Sequence, residues 1–515
     1  MAKKAGGALR ATMAVTLIIF VSKAVGFIRE IVFAACFGTG AQMDAYNAAY
    51  GLYYVPVLLF NSCISSTLIP LYIQRRREKG LKSANRFVSN VVNLFILASL
   101  AISVLMMLLS GPIVHLTYWG YEAETRALIA SQLRVMLPSL LFLVTSIVLA
   151  SLLNAREKYI AAQLTGFPLN FCLILAAATL GKKYGATALS WGVFVSGVLQ
   201  MLVLLPFLRG QYSYSLRFEY KSPIIRRMLA LAAPAILSMA VNELNHLIDR
   251  SLASTLPAGC LSGMNYGYKL IMFMTGVLVY PLTTVMFSKM SVHAAEHDKK
   301  GVSQIVMQCL ELLALALLPI ILLCAILSTD IIRLVYQRGA FSDQSVAVTA
   351  SAFLFYVLGV FFFGARDMLN RAFHSLQDTR TTLYNSLVTV LLNVVLNLIL
   401  VKVMGVGGLA LATSLSAGVG ALLLLMRLRK KLGRIGGRES LEELLKIGVG
   451  TLCCALVCLF LNRLLPRAYG AGWIFLRLAV CAGVPLIAYG YIEYLLGARQ
   501  VCTLYGLVAR RLKRG

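Results

Sequence analysis

Charged side chains standing inside apolar runs are the residues of this chain with chemistry to explain. Lys23, Arg29 and Glu30 share one run near the N-terminus, Glu243, His246, Asp249 and Arg250 share a second, and Lys269 stands in a third. An ion at the middle of a bilayer costs about 2.5–3.5 kcal/mol on insertion scales. Several of them are tolerable only if they pair with one another or face a wet cavity. Glu30, Asp249 and Arg250 lie near helix ends, and ion pairing inside the protein accounts for them as well as a binding role does. Lys23 and Lys269 have no acid within four residues on their own helices, and for them the sequence predicts a ligand-facing position. Cations gathered in a cavity call for an anionic substrate. Phosphates fit, because Arg and Lys both neutralise them and donate hydrogen bonds.

A second polar constellation lies further along. Asn393 and Asn397 are one helical turn apart and so share a face, Thr413 lies on the next apolar run, and Glu243 supplies a carboxylate. One carboxylate with amide and hydroxyl oxygens suits a Na⁺ or H⁺ coupling site; hydrogen bonds that glue helices together use the same residues. Nothing points to an enzyme or a resident cofactor. The sequence holds no G-x-x-x-x-G-K-[ST] phosphate loop, no H-E-x-x-H and no G-x-S-x-G, its five histidines do not cluster, and its eleven cysteines are scattered. Work by such a chain must draw on a Na⁺ or H⁺ gradient or on the membrane potential. Moving two phosphate charges outward from a negative interior is favourable by up to about 2.3 kcal/mol per charge per 100 mV.

The elements that must position these residues are membrane spans. Of 515 residues, 59% are hydrophobic and only 13% charged, with a mean hydropathy of +0.81; soluble chains carry about a quarter charged residues. Runs long enough to cross a bilayer lie near 12–37, 44–73, 87–109, 127–153, 159–181, 186–208, 228–254, 263–288, 303–327, 346–370, 382–401, 406–426, 447–462 and 472–496. The fold class expected is an all-α integral membrane protein of about fourteen transmembrane helices. With the N-terminus inside, 33 of the 48 Lys and Arg residues fall on cytoplasmic segments and 8 on outer ones, which is the positive-inside rule followed loop after loop. The net charge of +28 therefore faces anionic lipid headgroups and not nucleic acid. An even number of spans puts both termini in the cytoplasm. Lys23 and Arg29 interrupt the first run, so it reads as a retained helix and not a cleaved signal peptide.

Laid over itself at an offset near 220, the chain matches in order. Phe27-Ile-Arg-Glu30 lies over Leu247-Ile-Asp-Arg250, Tyr118 over Tyr336, Phe167-Pro-Leu-Asn170 over Val390-Leu-Leu-Asn393, and Leu208-Arg209 over Leu428-Arg429. A duplicated half predicts two parallel six-helix lobes, 1–220 and 221–432, with a midplane site between them. Residues 433–515 then form two extra helices and a basic tail.

At these residues the chain resembles the MurJ (MviN) family of lipid II flippases, within the superfamily of multidrug, oligosaccharidyl-lipid and polysaccharide exporters. The resemblance runs over residues 10–430. It rests on Ser22-Lys-Ala-Val-Gly-Phe-Ile-Arg-Glu30, Asp44-Ala-Tyr46, Leu247-Ile-Asp-Arg250, Tyr336-Gln-Arg-Gly-Ala-Phe341, Arg371-Ala-Phe373, Asp378-Thr-Arg380 and Asn393-Val-Val-Leu-Asn397. It implies a flippase of the bacterial cytoplasmic membrane that carries an undecaprenyl-pyrophosphate-linked disaccharide-pentapeptide outward by alternating access, beside the cell-wall synthesis machinery. The family's cavity cations carry over to Lys23, Arg29 and Lys269, with Asp44 as the matching acid; Glu30 and Arg250 complete the expected binding set. Two of those cations are Lys where the family usually has Arg. The family's second helix also has an Arg and a Glu where this chain reads Tyr53-Tyr-Val-Pro-Val-Leu-Leu-Phe-Asn-Ser-Cys63. Another polyprenyl-linked glycan, or a drug or metabolite exported by cation coupling, therefore stands as the alternative cargo.

Overall fold

A computed structural model of the chain describes residues 2–210, 212–433, 435–466 and 470–502. The end of the expected basic tail, including Arg510, Arg511, Lys513 and Arg514, lies outside the described residues. Those residues form nineteen α-helices, one π-helical turn and no strand. The helices in chain order are α1 (Ala2–Phe37), α2 (Ala41–Leu108), α3 (Ser110–Thr117), α4 (Ala123–Met136), α5 (Ser139–Ala155), α6 (Tyr159–Gln163), α7 (Gly166–Tyr184), α8 (Thr187–Leu208), α9 (Pro223–Ala253) and α10 (Cys260–Met274). After the π turn Thr275–Val279 come α11 (Tyr280–Ala295), α12 (Lys299–Ile326), α13 (Ser328–Tyr336), α14 (Asp343–Leu358), α15 (Val360–Ser375), α16 (Thr379–Met404), α17 (Val406–Leu432), α18 (Arg438–Leu464) and α19 (Ala471–Leu495).

Among the described residues, ten helical segments are long and apolar enough to cross a membrane, and two bent pairs raise the number to twelve. One of the ten, α2, is 68 residues long and leaves helical geometry at Gly80 (φ 76°). A span needs about 20 residues, so α2 supplies two spans hinged at that glycine. The first of the fourteen runs read from the sequence lies on α1. The chain is a multi-pass membrane protein.

The internal repeat is written into the backbone. The pair α4–α5 bends by 47° and the pair α14–α15 by 43°, and both their first and last residues lie 220 positions apart. Pro138 sits at the first break and Gly359 at the second, so different residues produce one bend. The helix that follows each bent pair starts after a non-glycine residue at positive φ, Glu157 (62°) and Gln377 (57°). There the amides of Lys158 and Asp378 bond back to the carbonyls of Leu153 and Phe373, as in a Schellman turn. Gly185 and Gly405 repeat the same offset with φ of 57° and 56°. Buried Tyr118 donates to the Ala48 carbonyl at 3.1 Å, and buried Tyr336 donates to the Tyr266 carbonyl at 3.3 Å. In the second copy Asp caps open the helices: Asp298 accepts from the Gly301 amide and Asp378 from the Thr381 amide. The Gly301 amide and the His293 ring hold the Asp298 carboxyl below its usual range; Lys431 does most of this for Asp378.

Packing divides the chain into two compact units, Met1–Ser262 with Arg338–Ser342, and Gly263–Gln337 with Asp343–Gly515. In the first, α2 and α8 pack on α5, α7 packs on α1 and α8, and α9 lies along α2. That last contact groups α9 with the first unit, so the compact units and the six-helix repeats have different borders. In the second, α17 is covered by α14, α15 and α16, while α18 lies against α12 and α19. Small residues set the closest approaches: a Cβ on Gly197 of α8 would come 2.9 Å from Ser139 Cβ, and one on Gly359 would come 2.8 Å from Ser414 Cβ.

The C-terminal pair is seated by chemistry as well as by area. Cys454, Cys458 and Cys481 join Leu323, Leu327 and Tyr489 in one core cluster, and these cysteines are free thiols that pack as small hydrophobes. Arg477 of α19 reaches Asp330 of α13 at 2.7 Å and the Asn462 side chain, with its own side chain only 4% exposed. Removing one partner of a buried pair costs about 3–5 kcal/mol. Arg477→Ala should therefore loosen α19 from α13 and lower the midpoint of thermal unfolding by several degrees in purified protein, with cleavage between α18 and α19 in limited proteolysis.

Candidate functional site

The first unit places most of the residues that the sequence singles out. Ser22, Gly26 and Arg29 form one face of α1 and meet α7: a Cβ on Gly166 would come 2.6 Å from Ser22 Oγ, and one on Gly26 would come 3.6 Å from Asn170 Oδ1. That close packing delivers the Arg29 guanidinium to Asn170 at 3.0 Å and to Glu30 at 2.5 Å. Its side chain is 15% exposed and that of Glu30 is 10% exposed. Arg29 also lies 5.6 Å from the centre of the Phe33 ring, and its Nε is buried with no acceptor. The pair is neutral as a unit, but the guanidinium keeps one unspent donor. Lys23, two turns earlier on α1, is exposed.

Asp44 has a different position from the one expected of a cavity acid. It is fully buried at the start of α2. One carboxylate oxygen accepts the Ser262 amide at 2.7 Å, and the other accepts the Gly259 amide at 2.7 Å and the Tyr121 hydroxyl at 3.2 Å. These amides open α10, where unpaired N–H groups and the helix dipole favour an anion. Asp44 is thus a helix cap supplied from a distant part of the chain.

On α9, Glu243 and Arg250 lie two turns apart and within electrostatic reach of each other and, for Glu243, of Tyr54. The Arg250 guanidinium lies against α2 at Gly51, where any Cβ would collide with it. Along α2, Tyr46, Tyr50 and Tyr54 stack in series, with ring centres 5.9 and 5.6 Å apart, and Phe33 meets Tyr46 edge-on at 5.9 Å. Arg29 lies within electrostatic reach of Tyr46 and Tyr50. An aromatic rail therefore occupies the helix in which the family pattern has an Arg and a Glu. Its signal was the i, i+4, i+8 tyrosine spacing; that of Asn170 was its place over Asn393 in the repeat.

The second unit holds Lys269, exposed on α10, beside Tyr268, whose ring packs on Tyr356 at 5.4 Å. Arg366 of α15 lies within electrostatic reach of Tyr268 and Asp367, while Asp367 itself pairs with Arg371 at 2.9 Å. Arg366 is a further cation inside an apolar run, next to Asp367, that the sequence reading did not single out. The structure also brings together three of the four proposed ion-site residues. Asn397 donates to Asn393 Oδ1 at 2.9 Å, and Asn393 donates to Thr413 Oγ1 at 3.4 Å and to Ser416 Oγ at 3.3 Å. Glu243 belongs to the first unit. Within this network the amide and hydroxyl groups are turned toward one another and bind α16 to α17. No group of three or more His, Cys, Asp or Glu side chains among the described residues could hold a metal ion.

A bundle of membrane-crossing helices with a repeated bent pair and cations set inside its spans defines a polytopic membrane transporter fold. The structure superposes on an inward-facing MATE multidrug transporter of the MOP superfamily with a TM-score of 0.69, at 12% identity over 82% of this chain and 98% of that one. It superposes more closely on a structure of lipid II flippase MurJ in an inward closed conformation, with a TM-score of 0.80 at 24% identity over 94% and 99% of the two chains. A family model described as lipid II flippase MurJ matches residues 33–480. This chain belongs to the MurJ family. Among its relatives are a probable lipid II flippase MurJ of Rhizobium tropici, 26% identical over 508 residues covering 96% of this chain and 94% of that one, and lipid II flippase MurJ of Thermosipho africanus, 25% identical over 91% and 93%.

Proposed function

We propose that this chain moves lipid II, the undecaprenyl-pyrophosphate-linked peptidoglycan precursor, from the cytoplasmic to the outer leaflet by alternating access. The observation that carries the reading is the family match over residues 33–480. The mid-span cations give it a chemical basis. Lys23 and the spare Arg29 donor of the first unit suit a phosphate group that must leave water to cross, and so, taken by itself, does Lys269 of the second. Glu30 acts in this reading as the partner that holds Arg29 in place, and Arg250 as a further cation of the binding set. The positive-inside pattern supports a cytoplasmic-membrane location with both termini inside, next to the enzymes that make and use the precursor.

The membrane potential is the drive this reading requires, since the cargo carries negative charge outward. The Asn393–Asn397–Thr413 network in the second unit, and Glu243 in the first, are the separate places to look for a Na⁺ or H⁺ contribution. Flux that is unchanged when Na⁺ is replaced and the pH gradient collapsed would remove that contribution.

Depletion of the protein in its own cells, followed by extraction of polyprenyl-linked intermediates, tests the cargo. Lipid II should accumulate on the cytoplasmic leaflet. Accumulation of a different polyprenyl-linked glycan would support the alternative that the altered second helix raises, since the stretch Tyr53–Cys63 lacks the Arg and the Glu of the family pattern. No lipid accumulation, with loss of drug or metabolite export, would overturn both.

A further inference from the structure

Inside the first unit, α2, α5, α7 and α8 enclose a cavity of about 210 Å³ next to the tyrosine rail. Its polar lining is Tyr50, Tyr53, Tyr54, Asn61, Ser196 and Gln200, set against an apolar wall that includes Leu169 and Val193. Gln200 is only 7% exposed, yet neither its amide nor that of Asn61 has a hydrogen-bond partner among the described residues, nor do the Tyr50 and Tyr54 hydroxyls. One wall is fixed: Tyr53 is hydrogen-bonded to Ser139 at 2.8 Å, where Gly197 lets α8 approach α5.

With no protein partner, the Gln200 amide is left to bond whatever occupies the cavity it lines. The cavity is below the size of a pocket for a drug-sized ligand, and no formal charge lines it. Apart from the Tyr53 and Ser196 hydroxyls, which are bonded within the protein, it offers two phenol rings, two phenol hydroxyls and two amides, each amide both donor and acceptor. That set is complementary to a neutral ring bearing several hydroxyl or acetamido groups on its edge and C–H groups on its faces. Pyrophosphate would find no cation there, and an acyl chain would leave that set unpaired. Tyr54 and Asn61 are exposed and lie two turns apart on α2, so the cavity opens along that helix.

We propose that this cavity is a subsite for one sugar ring of the transported lipid-linked glycan, gripped by the Asn61 and Gln200 amides beside the Tyr50 and Tyr54 rings. The proposal rests on the flippase reading and adds recognition of the glycan, separate from that of the pyrophosphate.

The test compares binding of undecaprenyl pyrophosphate with and without its attached disaccharide to purified full-length protein in lipid nanodiscs. Wild type should bind the glycosylated lipid about tenfold more tightly, as one or two well-made hydrogen bonds would give. Gln200→Leu, which keeps the side-chain size, should abolish that preference and leave the sugar-free lipid unaffected. Should Gln200→Leu lose both lipids, Asn61→Leu, at the exposed rim, decides the matter by the same comparison. Equal binding of the two lipids by wild type, or a preference that survives both substitutions, overturns the subsite and leaves the flippase reading standing. Wild type that binds neither lipid removes the flippase reading itself.

Discussion

Cells that depend on this chain for precursor export are expected to stop growing when Lys269 is changed to Ala, with the protein still inserted at its normal level. The same outcome is expected for Lys23→Ala and Arg29→Ala. Lys23 and Lys269 are exposed on their helices, at depths where an ammonium is costly unless it meets water or a ligand. Each charge-assisted bond to a phosphate contributes about 1.5–3 kcal/mol, and losing one cation slows transport by roughly ten- to a hundredfold. Charge-conserving changes separate the roles. Lys269→Arg should restore growth, because any cation in that place can meet a phosphate. Arg29→Lys should not, because one ammonium cannot replace the guanidinium that bonds Asn170 and Glu30 from separate nitrogens. The readouts are complementation in a depletion strain and quantity of protein in the membrane. Normal growth with all three alanine variants would defeat the assignment.

Asp44→Ala should have an equally large effect by another route, loss of the folded protein. The substitution strands the buried Gly259 and Ser262 amides and the Tyr121 hydroxyl. An unsatisfied buried group costs about 1–3 kcal/mol, so a drop of several kcal/mol is expected, read as a lower thermal midpoint and rapid degradation. Asp44→Asn keeps acceptor capacity on one oxygen only and should fall between wild type and Asp44→Ala. Loss of transport by Asp44→Ala with undiminished thermal stability would instead return Asp44 to the binding site.

Sequence alone determined the membrane class, the approximate spans and the repeat. These are written in local patterns: apolar runs of the right length, Lys and Arg concentrated on alternate loops, and like residues 220 positions apart. Even the bent pairs could be anticipated at Pro138, though not at Gly359, where the second bend has no proline. The cations within the spans were legible too, since a Lys in an apolar run such as that around Lys269 stands out against its sequence neighbours.

The tertiary structure decided what each charged or polar residue is paired with. Asp44 reads as one acid before a helix, and nothing near it in sequence shows that its partner amide lies 215 residues away. Arg29 could have paired with any carboxylate; the glycines at 26 and 166 bring α1 and α7 close enough to give it Asn170 as well as Glu30. The tyrosines of α2 and the amide of Gln200 look like ordinary core residues until four helices leave a polar hollow among them. Span length and charge bias follow from transfer of single residues into lipid, which depends on composition over a local window. Ion pairs, caps and cavities depend on which helices meet, and the free energy that chooses those meetings is spread over contacts between residues far apart in the chain.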